Sequence, residues 1–249
     1  MGFKDHFSQQ AALYRKYRPT YPQPLFDFLA DRAGRHEWAW DCGTGNGQVA
    51  VALADIFDEV IATDASEHQL ALAVSHPRVV YRAAPAEESG IIAASIDLVT
   101  AAQAAHWFHF ERFYAEVARV LQPGGLLALF CYSLPEISAA VDAQVRRLFD
   151  DILDTYWPPE RAHVDAHYRT LPFPWEELET PSFTGEGIWT LADLVGYLGS
   201  WSATARYREQ LGEDPVRLIK DELVVAWGDA AELRRVRWPI HLRAGRNVS

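Results

Sequence analysis

Cysteine is scarce: the chain of 249 residues holds two, Cys42 and Cys131, both in apolar, strand-like runs. Two buried thiols do not make a disulfide scaffold, and they fit a reduced, cytoplasmic compartment. No CxxC pair or Cys/His cluster with ligand spacing occurs, so no metal is expected. Basic residues are outnumbered: 23 Lys and Arg against 34 Asp and Glu give a formal charge of −11. Without a dense basic block, the pattern argues against a nucleic-acid partner. Long apolar runs are also missing, and the opening "MGFKDHFSQQ" lacks the apolar centre of a signal peptide, so no membrane partner is expected. The chain begins Met-Gly, but His6 stands where a myristoylation signal has Ser or Thr. Apolar residues, by contrast, make up 49 % of the chain, enough for a large core and one ordinary domain.

From residue 36 the chain alternates strand-like and helix-like segments, the pattern of a parallel sheet with helical crossovers. "HEWAWDCG" is a strand ending at the first glycines. "QVAVALADIF" follows with Val49, Leu53, Ile56 and Phe57 at helical spacing. "EVIATDA" is the next strand; Ser66 then caps a helix, with Gln69 completing a capping box. "RVVYRAA" and "SIDLVTAAQ" are further strands. A helix is predicted from His106 to Leu121, broken by "QPGG", after which "LLALFCYS" reads as a central strand. Beyond residue 134 the pattern changes. Ile137, Val141, Val145, Leu148 and Ile152 line a helix, and Thr190 and Asp214 cap two more. "RRVRWPIHLRAG" is a final strand that Pro239 assigns to an edge or a bulge. The expected organisation is N-terminal lid helices (1–35), a Rossmann-like core (36–134), a helical cap with an edge strand (135–232) and a returning C-terminal strand (233–249).

The loop Gly43-Thr44-Gly45-Asn46-Gly47 between strand and helix lets the backbone approach a polar ligand, with free N–H groups pointing at it. Asp64 ends the next strand, about twenty residues on, where an acid binds ribose hydroxyls. These features alone fit a dinucleotide as well as a methyl donor. Three details separate the two. Gln48 stands where a dinucleotide loop has its third glycine. Asp41 precedes the loop, where a pyrophosphate is repelled and an amino group welcomed. The "QPGGLLALF" turn has no role in dinucleotide binding.

On these segments the sequence resembles the class I S-adenosylmethionine-dependent methyltransferases, specifically the type 11 group that includes trans-aconitate methyltransferase-like enzymes. "DCGTGNGQVA", "VIATDAS", "AAPAEES", "DLVTAAQAAHWF" and "VLQPGGLLALF" resemble its successive motifs, "HFSQQAALYRKYRPTYP" its lid and "LVGYLGSWSATARYREQLGEDP" its cap. The resemblance implies a doubly wound, mostly parallel seven-stranded sheet with an antiparallel C-terminal edge strand. It also implies S-adenosylmethionine as cofactor, S-adenosylhomocysteine as product and a small-molecule substrate. Asp41, Gly43 and Gly45, with Thr44, Asn46 and Gly47, would line the methionine part. Asp64, followed by Ala65, would accept both ribose hydroxyls, and the backbone at Ala86 would face adenine. Pro85 stands where similar proteins carry an acid or amide toward that base, with Glu87 the nearest substitute. Gln103 and His106 would sit beside the sulfonium.

Methyl transfer from a sulfonium is an in-line displacement, in which orientation is worth about 7–11 kcal/mol. A carboxylate acceptor is ionised at neutral pH and needs no base, whereas a phenol or amine usually wants one. His106 is the candidate base, or else a helix-start residue packed under the lid. His109 reads as solvated. His163 and His167 share a face if their segment is helical, but no third metal ligand is in view. Trp107 stands against the sulfonium or in the core. Tyr14, Arg18 and Tyr21 from the lid and Trp201 and Arg206 from the cap are candidate substrate contacts, the arginines suiting an anion. The fourth strand lacks the Asn/Asp-Pro-Pro-aromatic box of nucleobase and amide methylation. The expected enzyme methylates a carboxylate oxygen, as a monomer or homodimer. An NAD(P)-dependent oxidoreductase and a non-catalytic binding protein on the same fold are the alternatives.

Overall fold

The computed structural model describes residues 19–247. A helix, α1 (Gln23–Ala33), precedes β1 (Trp38–Cys42), α2 (Gln48–Ala54) and β2 (Glu59–Asp64). Next come α3 (Glu67–Ala71), β3 (Val79–Ala83) and β4 (Ile96–Ala102). A 3₁₀ turn at Ala105–Trp107 leads to α4 (Phe110–Val120) and β5 (Leu121–Tyr132). The second half holds α5 (Ala139–Arg146), which runs into a π-helical turn at Arg147–Ile152, and α6 (Arg161–Asp165). It continues through β6 (Phe183–Trp189), α7 (Leu191–Gly199), α8 (Ser202–Leu211), a 3₁₀ turn at Pro215–Ile219, α9 (Lys220–Trp227) and β7 (Arg234–Arg246). No helix among the described residues is long and apolar enough to cross a membrane.

The seven strands form one sheet in the order β3-β2-β1-β4-β5-β7-β6. Pairings from β3 through β5 are parallel; β7 runs antiparallel to both neighbours. The fold is thus the doubly wound, mostly parallel sheet expected. Strand alternation sorts the side chains between two faces. Ala39, Leu98, Leu126, Ala128 and Phe130 meet α1 and α2 on one face. Trp40, Val99, Leu127, Leu129 and Cys131 meet α4 and the segment around Val164–Leu171 on the other. A third cluster joins α5, α7, α8 and α9 through Val141, Val145, Leu194, Leu198, Ala203, Leu223 and Trp227.

Several local expectations are corrected. The helix expected from His106 starts at Phe110, after a separate 3₁₀ turn, and Leu121 already belongs to β5. The helix expected through Ile152 is α-helical only to Arg146. Ser66 caps α3 by accepting from Gln69 N at 3.4 Å, but its own N–H donates to Asp64, so the reciprocal half of a capping box is not made. Thr190 with Asp193 makes a complete box instead. Pro239 does not put β7 at the edge: β6 lies outside it. The carbonyl of Pro239 accepts from Ser133 N at 3.0 Å, just past the end of the β5 ladder at Tyr132–Ile240, so the missing N–H falls where that ladder stops.

Candidate functional site: a cleft at the switch point of the sheet

The strand order reverses between β1 and β4, and open α/β sheets bind ligands outside the carboxyl ends of the strands at that point. A cleft of about 1220 Å³ lies there, lined from the glycine loop, Asp41, Asp64, the Ala84–Glu87 segment, Gln103, Trp107, Tyr132 and α8.

The loop after β1 is built around its own hydrogen bonds. Thr44 N donates to Thr63 O at 2.9 Å, Gly45 N to Asp64 at 2.8 Å and Gly47 N to Thr44 O at 3.0 Å. Three of the amides expected to face a ligand are therefore spent holding the loop. Close packing explains two of the glycines. A Cβ on Gly43 would stand 2.5 Å from that of Ala104, and one on Gly47 2.2 Å from the Tyr81 hydroxyl. Gly45 is different: with φ of 56° and nothing within 4 Å of a built Cβ, it borders open space.

Asp41 is buried at the end of β1. Its two oxygens accept from the hydroxyls of Thr44, at 2.5 Å, and Thr100, at 2.8 Å. Burial raises its carboxyl to about 6, although the two hydroxyls and the Ala50 amide in the first turn of α2 favour the charged form. A carboxylate held only by neutral groups at a cleft wall suits a cationic ligand group. Asp64 is half-buried and fixed by two backbone amides, Gly45 N at 2.8 Å and Ser66 N at 2.9 Å, one on each oxygen. A carboxylate oriented by main-chain amides at the cleft wall suits a pair of vicinal hydroxyls.

Gln103 directly follows β4 with φ of 52°, in the left-handed region that a glutamine rarely adopts. Its N–H donates to Phe130 O at 2.9 Å, while its side-chain Oε1 is buried without a hydrogen-bond partner. Strain and an orphaned acceptor coincide on one residue at the cleft.

Thr44, Asn46, Ala65, Pro85, Ala86, Trp107, Tyr21 and Arg206 also line the cleft. Gly47 serves the loop turn, and Glu87 accepts from the His109 N–H at 2.7 Å, which fixes the entry to α4. His106 does not line the cleft: its buried ring bonds through Nδ1 to the Tyr168 hydroxyl at 3.0 Å. The 3₁₀ turn, in place of a helix start, aims it that way. Trp201 is also misplaced by the sequence reading; its buried ring packs with Phe149, Trp157 and Tyr197 in the third cluster. Arg208, near Arg206 in sequence, instead pairs with Asp214 at 2.9 Å and bonds Gly199 O at 3.0 Å. Tyr14 and Arg18 lie outside the described residues, as does most of the expected lid. His163 and His167 do not share a face: His163 bonds Thr170 at 2.8 Å, and His167 stacks on His241.

Tyr132, Arg112 and Glu209 line the cleft and were missed. Tyr132 had a signal, since it ends the strand beside β4. For Arg112 and Glu209 only the approach of α4 and α8 decides, and no local pattern records it.

A doubly wound sheet with a glycine loop and two oriented carboxylates at its switch point defines a site for a nucleoside-bearing ligand. Comparison with known proteins makes this specific. A family model described as "Methyltransferase domain" matches residues 40–129. A Dictyostelium discoideum protein named as a methyltransferase is 33 % identical over 248 residues, spanning 96 % of this chain and 94 % of that one. A solved structure from Anaeromyxobacter dehalogenans, described as a type II methyltransferase, shares 46 % identity and a TM-score of 0.87, covering 93 % of this chain and 99 % of that one. A Saccharomyces cerevisiae protein named as S-adenosylmethionine-dependent is 30 % identical over 136 residues, 51 % of this chain and 47 % of its own length. The chain belongs to the class I S-adenosylmethionine-dependent methyltransferases. The oxidoreductase and non-catalytic alternatives are set aside.

Proposed function

We propose that this enzyme uses S-adenosylmethionine to methylate a carboxylate oxygen of a small anionic molecule. The observation that carries the acceptor class is the split between His106 and the arginines. The buried imidazole is committed to Tyr168 away from the cleft, while Arg112 and Arg206 line it. Two arginines at a wall whose one imidazole among the described residues, His109, is exposed to solvent suit a nucleophile that is already ionised.

The residues present fit the cofactor. Asp41, held by two neutral hydroxyls, would take its ammonium group; Asp64, gripped by Gly45 N and Ser66 N, would take the ribose hydroxyls. The open side of Gly45 admits the methionine backbone, and the buried Ala86 with exposed Pro85 would border adenine through main chain and apolar contact. When bound, S-adenosylmethionine supplies a methyl group already activated by a positively charged sulfur. The orphaned Gln103 carbonyl would turn its negative end toward that charge, and so away from an anionic acceptor. Arg206 and Arg112 would orient the acceptor, and Tyr21 and Trp107 would exclude water. Tyr14 and Arg18 are assigned to the same wall from the lid, and residues 135–232 to a cap over the cleft. The assignment is to a cytoplasmic enzyme.

Release of S-adenosylhomocysteine from a panel of small acids, phenols and amines tests the acceptor class. Turnover confined to the acids is expected, and turnover of phenols or amines alone would refute it. Calorimetry tests the cofactor: S-adenosylhomocysteine should bind the wild type and bind Asp64→Asn about tenfold or more weakly, the worth of one charge-assisted hydrogen bond. No heat from the wild type would overturn the whole reading.

A further inference from the structure

Away from the cleft, β7 and the segment after α6 border a second, open pocket of about 340 Å³, with His167, Arg169, Ser182, His241 and Arg243 in its wall. The rings of His167 and His241 lie stacked at 3.6 Å and 9°. Ser133 Oγ is 2.7 Å from His241 Nε2 and 3.4 Å from His167 Nε2.

Arg169 fixes the protons in this chain of contacts. A guanidinium only donates, so its approach to His167 Nδ1 at 3.3 Å makes that nitrogen the acceptor. His167 then carries its proton on Nε2, toward Ser133. The Ser133 hydroxyl in turn donates to His241 Nε2, and the His241 proton resides on Nδ1, the ring nitrogen away from Ser133.

The turn that presents His167 is unusual. His167 and Tyr168 follow each other at φ of 56° and 60°, a region non-glycine residues rarely enter. Arg243 holds it by donating to the carbonyls of Tyr168 at 2.7 Å and Leu171 at 2.8 Å. Arg243 also pairs with Glu177, and Asp165 pairs with Arg161 at 2.9 Å. With those charges matched, the guanidinium of exposed Arg169 gives the pocket a positive balance, on a chain of formal charge −11.

We propose that this pocket is a second binding site, separate from the methyl-transfer cleft, for a small oxyanion bearing a phosphate or carboxylate group. Arg169, the Nδ1–H of His241 and the Ser182 hydroxyl supply its donors. This goes beyond the methyl-transfer reading and does not rest on it.

Binding at this site takes up a proton. Burial, His167 and Arg169 hold His241 down to about 4, and burial and Arg169 also lower His167, against the pull of Asp165. The Glu177–Arg243 pair faces the same pocket, and the Cys131 thiol stands in register with His241 on β5. An anion beside the stacked rings favours the charged imidazole and draws its pKa back toward the ordinary 6.5, so affinity rises as pH falls from about 7 toward 5.

Calorimetry on the full chain, with inorganic phosphate and separately with malonate, tests this at pH 7, 6 and 5. One or both anions should bind, and whichever does identifies the group recognised. Binding should tighten toward pH 5 and weaken about tenfold in Arg169→Ala, a change at an exposed side chain. Saturating S-adenosylhomocysteine should leave it unaltered. No heat with either anion, equal affinity in Arg169→Ala and His241→Asn, a flat pH dependence, or competition with S-adenosylhomocysteine would each overturn the proposal. If His241→Asn does not fold, Arg169→Ala decides alone.

Discussion

Consider Gln103→Gly, directly after β4. The native residue sits at φ of 52° with a buried, unpartnered Oε1. Leaving the left-handed region to glycine relieves about 1–3 kcal/mol. Removing a buried orphan acceptor relieves a further amount of about 1–3 kcal/mol. Against this stand the extra backbone entropy of glycine, about 0.5–1 kcal/mol, and the lost burial of two methylenes, about 1.6 kcal/mol. Taken at their midpoints, these terms favour the variant by about 1–2 kcal/mol, which raises Tm by about 2–8 °C for a chain of this size. The same change deletes the group assigned to face the sulfonium, so kcat should fall about tenfold or more. Thermal unfolding and steady-state methyl transfer on the same preparation read both effects. Gln103→Asn, which tolerates this backbone and keeps a shorter amide, should fall between the two. A Gln103→Gly protein less stable than the wild type would refute the strain argument. One with full activity would refute the assignment of the carbonyl.

Two further outcomes follow from the imidazoles. His106→Asn should leave kcat within about threefold but lower stability by about 1–3 kcal/mol, because the buried Tyr168 hydroxyl loses its partner; a collapse of kcat in a folded variant would restore His106 as the base. Stability should also record His241, whose folded value near 4 lies below the ordinary 6.5. The unfolded chain takes the proton first, so this group's contribution is full above pH 6.5 and is lost as pH falls toward 4. Asp41, raised to about 6, works in the opposite sense, since the folded chain takes its proton first and gains stability as pH falls from about 6 to 4. Urea unfolding between pH 7 and 4 should therefore show His241→Asn gaining on the wild type as the solution becomes acidic, by no more than about 1–2 kcal/mol for a half-exposed group. A constant difference between the two proteins would refute the linkage.

The parallel half of the fold was legible because its information is local. Apolar runs such as "LLALFCYS", the glycine turn and the acid at the end of β2 each lie within one strand–loop–helix unit. Asp41, Asp64 and Gln103 could be placed at the cleft by the same logic, as residues at or beside strand ends near the point where the order reverses. What failed was orientation. His106 and Trp107 are adjacent, yet a 3₁₀ turn rather than an α-helix sends one ring to Tyr168 and leaves the other at the cleft. Trp201 looked like a cleft residue because the approach of α7 and α8 is set by the third cluster, which no single segment encodes. The loop amides were expected to be free because a sequence does not show Thr63 O or Asp64 reaching back to them. The pairing of His167 with His241 spans the whole of β6 to α9 and leaves no periodic trace.

The placing of β7 between β5 and β6 sets an order of assembly. β6 leaves the ribosome well before β7, yet it has no sheet partner until β7 has docked along β5. Until then the apolar flank of β5 stays open to solvent and to other chains, a hazard during synthesis. Trimming the protein within Arg234–Arg246 would therefore strip two strands rather than one, and display at the new rim the apolar run Leu126–Tyr132 of β5.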